Sequence, residues 1–103
     1  MIPKDNPSQS TIRIGIVDDH PFFRQGVRDV LNREHDIDVI AESGDGQEAL
    51  ELMSELRPDV VLMDVNLPGL NGLQITQQLK SRRPDINVII LTAYDDRSEE
   101  HTS

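Results

Sequence analysis

Two features are absent from this 103-residue sequence: cysteine, and any long apolar run. Without cysteine there are no disulfides and no thiolate metal sites, a composition typical of proteins in a reducing cytoplasm. No apolar stretch approaches the roughly 18 residues that a membrane span requires, and nothing at the N-terminus resembles a secretory signal. We therefore expect a cytoplasmic protein that makes no membrane contact.

Basic residues are also scarce. The chain has 10 Lys plus Arg against 19 Asp plus Glu, which gives a formal net charge of −9. Such a surface repels phosphate backbones, so we expect no direct nucleic-acid binding by this segment. We expect such a surface to bind a cation or a basic partner instead. The length suffices for one domain and is too short for two.

Along the chain, short apolar runs alternate with segments of helical periodicity. Residues 1–10 are polar, contain two prolines, and are predicted to be a disordered arm. The predicted strands are 11–17, 37–43, 59–64 and 87–92, and the predicted helices are 21–34, 46–56 and 72–83. Strands separated by helices pair in parallel, with right-handed crossovers. The predicted fold is therefore an open, doubly wound α/β sheet with helices on both faces.

Local patterns add detail to the three predicted helices. Asp45 is a candidate N-cap, with Glu48 reaching back to complete a capping box. Gly72 is expected to let the third helix start close to the sheet. The first helix is expected to bury one apolar face, formed by Phe23, Val27, Val30 and Leu31.

The last seven residues, RSEEHTS (97–103), follow no pattern. They are polar, and they interrupt a β/α series just after a strand. They also resemble the translation of a widely used sequencing adapter. We therefore expect an artefactual tail and leave it out of the fold prediction.

Acidic or hydroxyl side chains stand at the ends of three predicted strands. Asp18 and Asp19 follow the first strand, Asp64 ends the third and Thr92 ends the fourth. Ligands of open parallel sheets bind beyond the carboxyl ends of the strands. Clustered carboxylates repel one another unless a cation compensates, and Mg²⁺ with oxygen ligands does so well. Asp64 could then attack a phosphoryl group, with the hydroxyl of Thr92 near a phosphoryl oxygen.

Each of these residues also has a purely structural interpretation. Asp18 and Asp19 could cap the helix that starts near residue 21, and Asp64 could be a turn residue. Thr92 could end a strand for reasons of packing. His20 has no second histidine at ligand spacing, so we expect an exposed loop residue rather than a metal ligand.

Three motifs together resemble a known family. VDDHP (17–21), LMDVNLPGLNG (62–72) and VIILTAY (88–94) stand in the order and spacing of response regulator receiver domains of two-component systems. The resemblance covers residues 11–96 and implies a flavodoxin-like (CheY-like) fold. DDHPFFRQG (18–26) further resembles the subfamily that carries a LuxR-type helix-turn-helix output domain.

The resemblance implies a role for each site residue. Asp64 would be the phospho-acceptor and Thr92 the switch hydroxyl. Asp19 would bind Mg²⁺ directly, Asp18 would bind it through water, and Asn66 would contribute its backbone carbonyl. The implied partners are a sensor histidine kinase and an output domain, DNA-binding in the full-length parent, that lies outside this segment. No enzyme activity is implied beyond the domain's own phosphorylation and dephosphorylation.

The sequence departs from the family pattern at its C-terminal end. The family has a lysine and a switch aromatic on a fifth strand, whereas the lysines here are Lys4 and Lys80 and only four strands are predicted. We therefore expect a receiver domain truncated after the fourth strand, without the fifth strand and the last helices. The apolar edge 87–91 would then be bare, which favours marginal stability or self-association.

Two other functions fit part of the sequence. GDGQEA (44–49) matches a dinucleotide-binding fingerprint, although Asp45 and Glu48 would place negative charge beside the pyrophosphate. An aspartate-nucleophile phosphohydrolase of the haloacid dehalogenase type would use Asp64, but that family has an acid where Asn66 stands. A purely structural interaction module is a third possibility.

Overall fold

A computed structural model describes residues 11–91 of the protein. The elements are β1 (Ile12–Val17), α1 (Pro21–Leu31), β2 (Ile37–Ser43), α2 (Gly46–Leu56), β3 (Val60–Asp64), α3 (Gly72–Arg82) and β4 (Asn87–Leu91). The predicted order of alternating strands and helices is confirmed. The predictions for residues 1–10, for Thr92 and for the tail 97–103 lie outside the described residues.

The four strands form one parallel sheet in the order β2-β1-β3-β4. The chain moves from β1 to one neighbour, β2, and then crosses to the opposite side of β1 to form β3. The connections that leave β1 and β3 therefore diverge, and they open a crevice at the carboxyl ends of these two strands. This crevice is the place where the fold favours a ligand site.

The pleat of the sheet shows that α1 and α2 cover opposite faces. A Cβ added to Gly15 of β1 would overlap the side chain of Met53 in α2. The next residue of β1 pairs with Glu42, whose carboxylate accepts hydrogen bonds from Arg24 and Arg28 of α1. Because successive strand residues point to opposite faces, the predicted doubly wound arrangement is confirmed.

The main core lies on the face that α2 and α3 share. Complete burial of each apolar side chain there contributes on the order of 1.5–3 kcal/mol. The core residues are Val17, Ala49, Leu50, Met53, Val61, Met63, Leu67, Ile75, Leu79 and Ile86.

The apolar face of α1 is less buried than predicted. Phe23 and Val30 are exposed, Val27 and Leu31 are only half-buried, and no residue of α1 is fully buried. Among residues 11–91, α1 is the single helix on its side of the sheet. Its outer flank, on which Phe22 is 89% exposed, therefore has no partner there. The prediction that these four residues form one buried face was wrong for this reason.

The helix starts follow capping rules, with one difference from the prediction. Asp45 caps α2 by accepting a hydrogen bond from the Glu48 N–H at 2.7 Å. The Glu48 carboxylate does not reach back, because it accepts a hydrogen bond from the Ser43 hydroxyl at 2.6 Å. A complete capping box forms instead at α3, between Asn71 and Gln74. In the described part of the chain no helix is long and apolar enough to cross a membrane.

We propose that the 103-residue chain is marginally stable or self-associates through the β4 edge. Within residues 11–91, β4 pairs with β3 alone, and Ile89 on this strand is 51% exposed. Sedimentation velocity over a range of concentrations should show association. Ile89→Lys should reduce it, because edge lysines discourage strand pairing.

Leu73→Lys is the matched control for this substitution. Leu73 is 53% exposed on α3, so the same change in charge there should leave association unaltered. A monomer at all concentrations, with a sharp cooperative melt, would contradict the proposal.

Candidate functional site

Three carboxylates and one imidazole meet at the carboxyl edge of the sheet. One ligand atom from each of Asp18, Asp19, His20 and Asp64 can be chosen so that all lie within 4.8 Å of one another. The acids come together because β1 and β3 are parallel neighbours and end at the same edge. The structure thus brings the three predicted aspartates into one pocket.

Asp64 is the most buried member of this acid cluster (Asp18, Asp19 and Asp64). It is the last residue of β3 and only 2% exposed. Its Oδ1 accepts a hydrogen bond from the Asn66 N–H at 3.1 Å, whereas its Oδ2 is buried and has no hydrogen-bond partner among the described residues. Burial raises the pKa of Asp64, the Asn66 N–H opposes that increase, and the charge of Asp18 adds to it.

The loop after β1 is held by several hydrogen bonds. The Asp18 N–H donates to the Ser43 carbonyl at 3.0 Å, and the Arg24 guanidinium donates to the Asp18 carbonyl at 2.5 Å. The buried Asp18 carboxylate accepts from the His20 N–H at 2.7 Å. Asp19 is half-buried, and its buried Oδ1 has no hydrogen bond in the described structure. These contacts fix the backbone and the carboxylate of Asp18.

His20 is more closely involved than the sequence suggested. Its side chain is 61% exposed, as expected for a loop, but its Nδ1 points into the pocket. Nδ1 lies 2.9 Å from Asp18 Oδ1, 3.2 Å from Asp19 Oδ1 and 3.9 Å from Asp64 Oδ2. The hydrogen bond with Asp18 raises the pKa of His20, and the charge of Asp19 raises it further. The sequence feature that could have indicated this place at the pocket is the position of His20 directly after two acids at a strand end.

The structure describes only some of the other predicted site residues. Asn66 follows β3 directly and its N–H contacts Asp64, while a ligand role for its carbonyl stays a prediction. Thr92 lies outside the described residues. The Lys80 ammonium donates to the carbonyls of Pro84 at 2.7 Å and Ile86 at 2.8 Å. Lys80 therefore holds the turn after α3 and is engaged away from the acid cluster.

The loop from β3 to α3 closes tightly over the end of the strand. The Gly72 N–H donates to the Val65 carbonyl at 2.8 Å, and a Cβ added to Gly72 would overlap the Asp64 carbonyl oxygen. Gly69 has a φ of 81°, which glycine adopts without strain. The predicted close start of α3 is confirmed, and it keeps the backbone of Asp64 in place.

The donor set fits a hard divalent cation. Within residues 11–91, one oxygen each of Asp19 and Asp64 is buried without a hydrogen-bond partner, and Asp18 adds a third carboxylate. Uncompensated carboxylates this close destabilise one another, and Mg²⁺ accepts oxygen ligands of this kind. The pocket therefore supplies the charge and the free ligand atoms that such an ion requires.

Comparison with known proteins decides the family. A family model for the response regulator receiver domain matches residues 14–102. This chain belongs to the response regulator receiver domains. It is 43% identical over 91 residues to the transcriptional regulatory protein DegU of Brevibacillus brevis, covering 88% of this chain and 39% of that protein. It is 40% identical over 83 residues to the transcriptional activator DevR/DosR of Mycobacterium tuberculosis, covering 81% of this chain and 38% of that protein.

Solved structures agree with this assignment. The fold is similar to a LuxR-family response regulator from Aurantimonas, with a TM-score of 0.79 and 36% identity over 89% of this chain and 66% of that one. It is also similar to the receiver domain of NarL from Mycobacterium tuberculosis, with a TM-score of 0.78 and 35% identity over 86% of this chain and 72% of that one. The receiver domain spans about 40% of the length of the curated relatives it matches.

The dinucleotide fingerprint at residues 44–49 has a packing explanation. A Cβ on Gly46 would press against Ile75 of α3 at 3.1 Å, so this glycine serves helix packing. A Cβ on Gly44 would meet the Arg24 guanidinium at 2.8 Å. Both glycines therefore have an explanation in the packing of the receiver domain.

Asp64→Asn should raise the free energy of unfolding at pH 7 by about 1–3 kcal/mol, the usual cost of an unsatisfied buried polar group. The raised pKa of Asp64 means that folding disfavours its ionised form. The free-energy cost of burying the ionised Asp64 is absent at a pH below the pKa of this carboxyl group in the unfolded chain. It is complete at a pH above the pKa of the same group in the folded protein. The advantage of the variant, measured by urea unfolding, should therefore vanish as the pH falls. Asp38→Asn, at an exposed site on β2, is the control; equal unfolding curves for wild type and Asp64→Asn at pH 7 would contradict the prediction.

Gly72→Ala should destabilise the domain by roughly 1–3 kcal/mol, because the added methyl group overlaps the Asp64 carbonyl and forces α3 outward. Gly26→Ala is the matched control, since nothing lies within 4 Å of a Cβ at Gly26 in α1. Alanine there should instead stabilise the helix by about 1 kcal/mol. Thermal melts of both variants measure these changes in stability. A Gly72→Ala variant as stable as wild type would contradict the close contact.

Proposed function

We propose that Asp64 accepts a phosphoryl group from a sensor histidine kinase. The observation that carries this proposal is the buried Oδ2 of Asp64, which has no hydrogen-bond partner among the described residues and lies in a pocket of ligand atoms. A carboxylate oxygen that accepts no hydrogen bond keeps its lone pairs available for attack on phosphorus. Membership of the receiver family supports the same role.

The chemistry at Asp64 is a transfer between two nucleophiles. A carboxylate oxygen of Asp64 forms a bond to the phosphorus of a phosphohistidine, and the bond between nitrogen and phosphorus breaks. The leaving imidazole keeps the electron pair of that bond and takes a proton from water. The product is an acyl phosphate on Asp64, whose hydrolysis returns the carboxylate.

Asp18, Asp19, Asp64 and the backbone carbonyl of Asn66 would hold Mg²⁺, with Asp18 acting through water. When bound, the ion supplies positive charge to the oxygens of the transferring phosphoryl group. The protein's own contribution is to keep the acids in place. The Arg24 guanidinium and the Ser43 carbonyl hold the Asp18 backbone, and the early start of α3 holds Asp64.

The phosphorylated domain would act by shifting a conformational equilibrium. An aspartyl phosphate adds roughly −1.5 to −2 charge near neutral pH, comparable with other phosphorylations. Thr92 would be the hydroxyl that senses it. The response would pass to a DNA-binding output domain of the full-length cytoplasmic protein, since DegU and DevR/DosR are named as transcriptional regulators. The domain itself would be no enzyme beyond its own phosphorylation and dephosphorylation.

Acetyl phosphate provides a direct test in the absence of the kinase. Incubation of the chain with acetyl phosphate and Mg²⁺ should add one labile phosphoryl group, located at Asp64 by mass spectrometry of the intact protein and its peptides. Chelation of Mg²⁺ should abolish the modification. Asp64→Asn should abolish it too, whereas Asp38→Asn should not, because Asp38 is an exposed aspartate on β2.

Three outcomes would contradict the proposal. Modification of Asp64→Asn to the same extent as wild type would show that another residue accepts the phosphoryl group. Steady turnover of p-nitrophenyl phosphate would favour the phosphohydrolase alternative, and saturable binding of NAD would favour the dinucleotide alternative.

A further inference from the structure

The Arg24 guanidinium joins three elements of the fold beside the acid cluster. It extends from α1, and it donates to the Asp18 carbonyl through Nη1 at 2.5 Å and to the Glu42 carboxylate of β2 through Nε at 3.3 Å. The side chains of Arg24 and Glu42 are each 23% exposed. Because the guanidinium is planar and carries donors on several edges, it can hold two acceptors in a fixed relation to each other.

The acceptor of the first hydrogen bond lies between two acids of the cluster. The Asp18 carbonyl belongs to the peptide group that joins Asp18 to Asp19, and a peptide group is planar. A hydrogen bond to this oxygen therefore fixes the plane and the direction in which the chain enters Asp19. The Asp19 Oδ1 accepts no hydrogen bond within residues 11–91, although His20 Nδ1 lies 3.2 Å away. The backbone is therefore an important support for the Asp19 carboxylate.

Gly44 leaves room for the guanidinium. A Cβ on Gly44 would lie 2.8 Å from Arg24 Nη1 and 3.4 Å from both the Asp18 carbonyl oxygen and the Asp19 Cα. The guanidinium, the peptide between the two acids and the chain that leaves β2 thus share one closely packed space. A change at any of the three should disturb the other two.

Glu42 holds the guanidinium from the opposite side. It pairs with Ile16 of β1, and its Oε2 accepts a hydrogen bond from Arg28 Nη1 at 2.7 Å. The carboxylate is thus shared by two arginines of α1. Among the described residues, the hydrogen bond of the Arg28 guanidinium goes to Glu42 and not to the acid cluster. Arg28 therefore resembles Arg24 in every contact except the one with the Asp18 carbonyl.

We propose that Arg24 is a positioning residue for the cation site, because it holds the peptide between Asp18 and Asp19 so that the Asp19 carboxylate stays in the pocket. The inference rests on the proposed function, since it concerns the cation that assists phosphoryl transfer. It leaves the ligands named above unchanged. Groups that orient metal ligands in this way typically contribute about 10- to 100-fold to metal affinity.

The charge of Arg24 makes the direction of the effect informative. A positive side chain repels a dication nearby, so the loss of Arg24 as a charge alone should tighten Mg²⁺ binding. The loss of Arg24 as a support should weaken binding, because the peptide between the two acids is then free to rotate. The two roles therefore predict opposite results for the same variant.

Isothermal titration calorimetry with Mg²⁺ measures this effect. Arg24→Gln should weaken binding about tenfold or more. Arg24→Lys should also weaken it, because a single ammonium group keeps the charge but cannot bridge the two acceptors. Arg28→Gln is the matched control: it removes the same charge from the same helix and a hydrogen bond to the same Glu42. It should leave the affinity near that of wild type.

Gly44→Ala tests the same contact without a change in charge. The φ of Gly44 is not positive, so alanine can adopt its backbone conformation. The added methyl group meets the end of the flexible Arg24 side chain and should displace it from the Asp18 carbonyl. We expect weaker Mg²⁺ binding with little change in the thermal melt.

The Asp18 carbonyl reports the hydrogen bond in the absence of metal. Its ¹³C resonance in the NMR spectrum should move upfield when the guanidinium no longer donates to it. We expect this change in Arg24→Gln and Gly44→Ala and not in Arg28→Gln. A loss of stability alone would leave this resonance in place as long as the chain is folded, which circular dichroism melts establish for each variant.

The outcomes separate this inference from the proposed function. If Arg24→Gln binds Mg²⁺ as tightly as wild type or more tightly, Arg24 does not position the site, whereas Mg²⁺-dependent modification of Asp64 would still support the proposed function. An unchanged Asp18 carbonyl resonance in folded Arg24→Gln overturns the inference as well. If Arg24→Gln does not fold, wild-type affinity in Gly44→Ala overturns it. A wild type that neither binds Mg²⁺ nor reacts with acetyl phosphate contradicts both proposals.

Discussion

The meeting of three aspartates at one sheet edge, where their negative charges repel one another, is the constraint on which the rest of the structure depends. Asp18 and Asp64 are buried, and Asp19 is half-buried beside them. The free energy of unfolding of a small domain is only about 5–15 kcal/mol. Repulsion among buried carboxylates therefore lowers it by a noticeable fraction. The arrangement persists because backbone hydrogen bonds and parallel pairing hold the strand ends together. A pocket that destabilises the empty protein in this way is suited to binding a cation.

The supports of the pocket come from both faces of the sheet. On one face, α2 and α3 enclose the main core, and the early start of α3 at Gly72 presses on the Asp64 backbone. On the other face, α1 carries Arg24, which holds the Asp18 carbonyl, and starts directly after His20. This helix has no fully buried residue. The least buried helix therefore carries Arg24 and follows His20 directly, and low burial permits local motion there.

The family assignment concerns the receiver domain and not the whole of each relative. The chain spans about 40% of the length of the curated relatives it matches. The acid cluster, by contrast, lies entirely within residues 18–64, and its chemistry can be studied in this segment. Lys80 is engaged with carbonyl groups after α3, so among the described residues the basic side chain that faces all three acids is His20.

The sequence by itself determined the alternation of strands and helices, the parallel sheet and the three aspartates at strand ends. Apolar residues repeat every 2 residues in strands and every 3.6 residues in helices, and polar residues mark the strand ends, so these signals are local. The rule that crossovers between parallel strands are right-handed then restricts how the elements can be connected. Only the tertiary structure decided that α1 is half-buried, that Glu48 contacts Ser43 rather than closing a capping box, and that His20 turns toward the acids. These features depend on which groups from distant segments come within contact distance. A histidine in a loop has no periodicity that reveals its direction, whereas an aspartate at a strand end is directed by the strand itself.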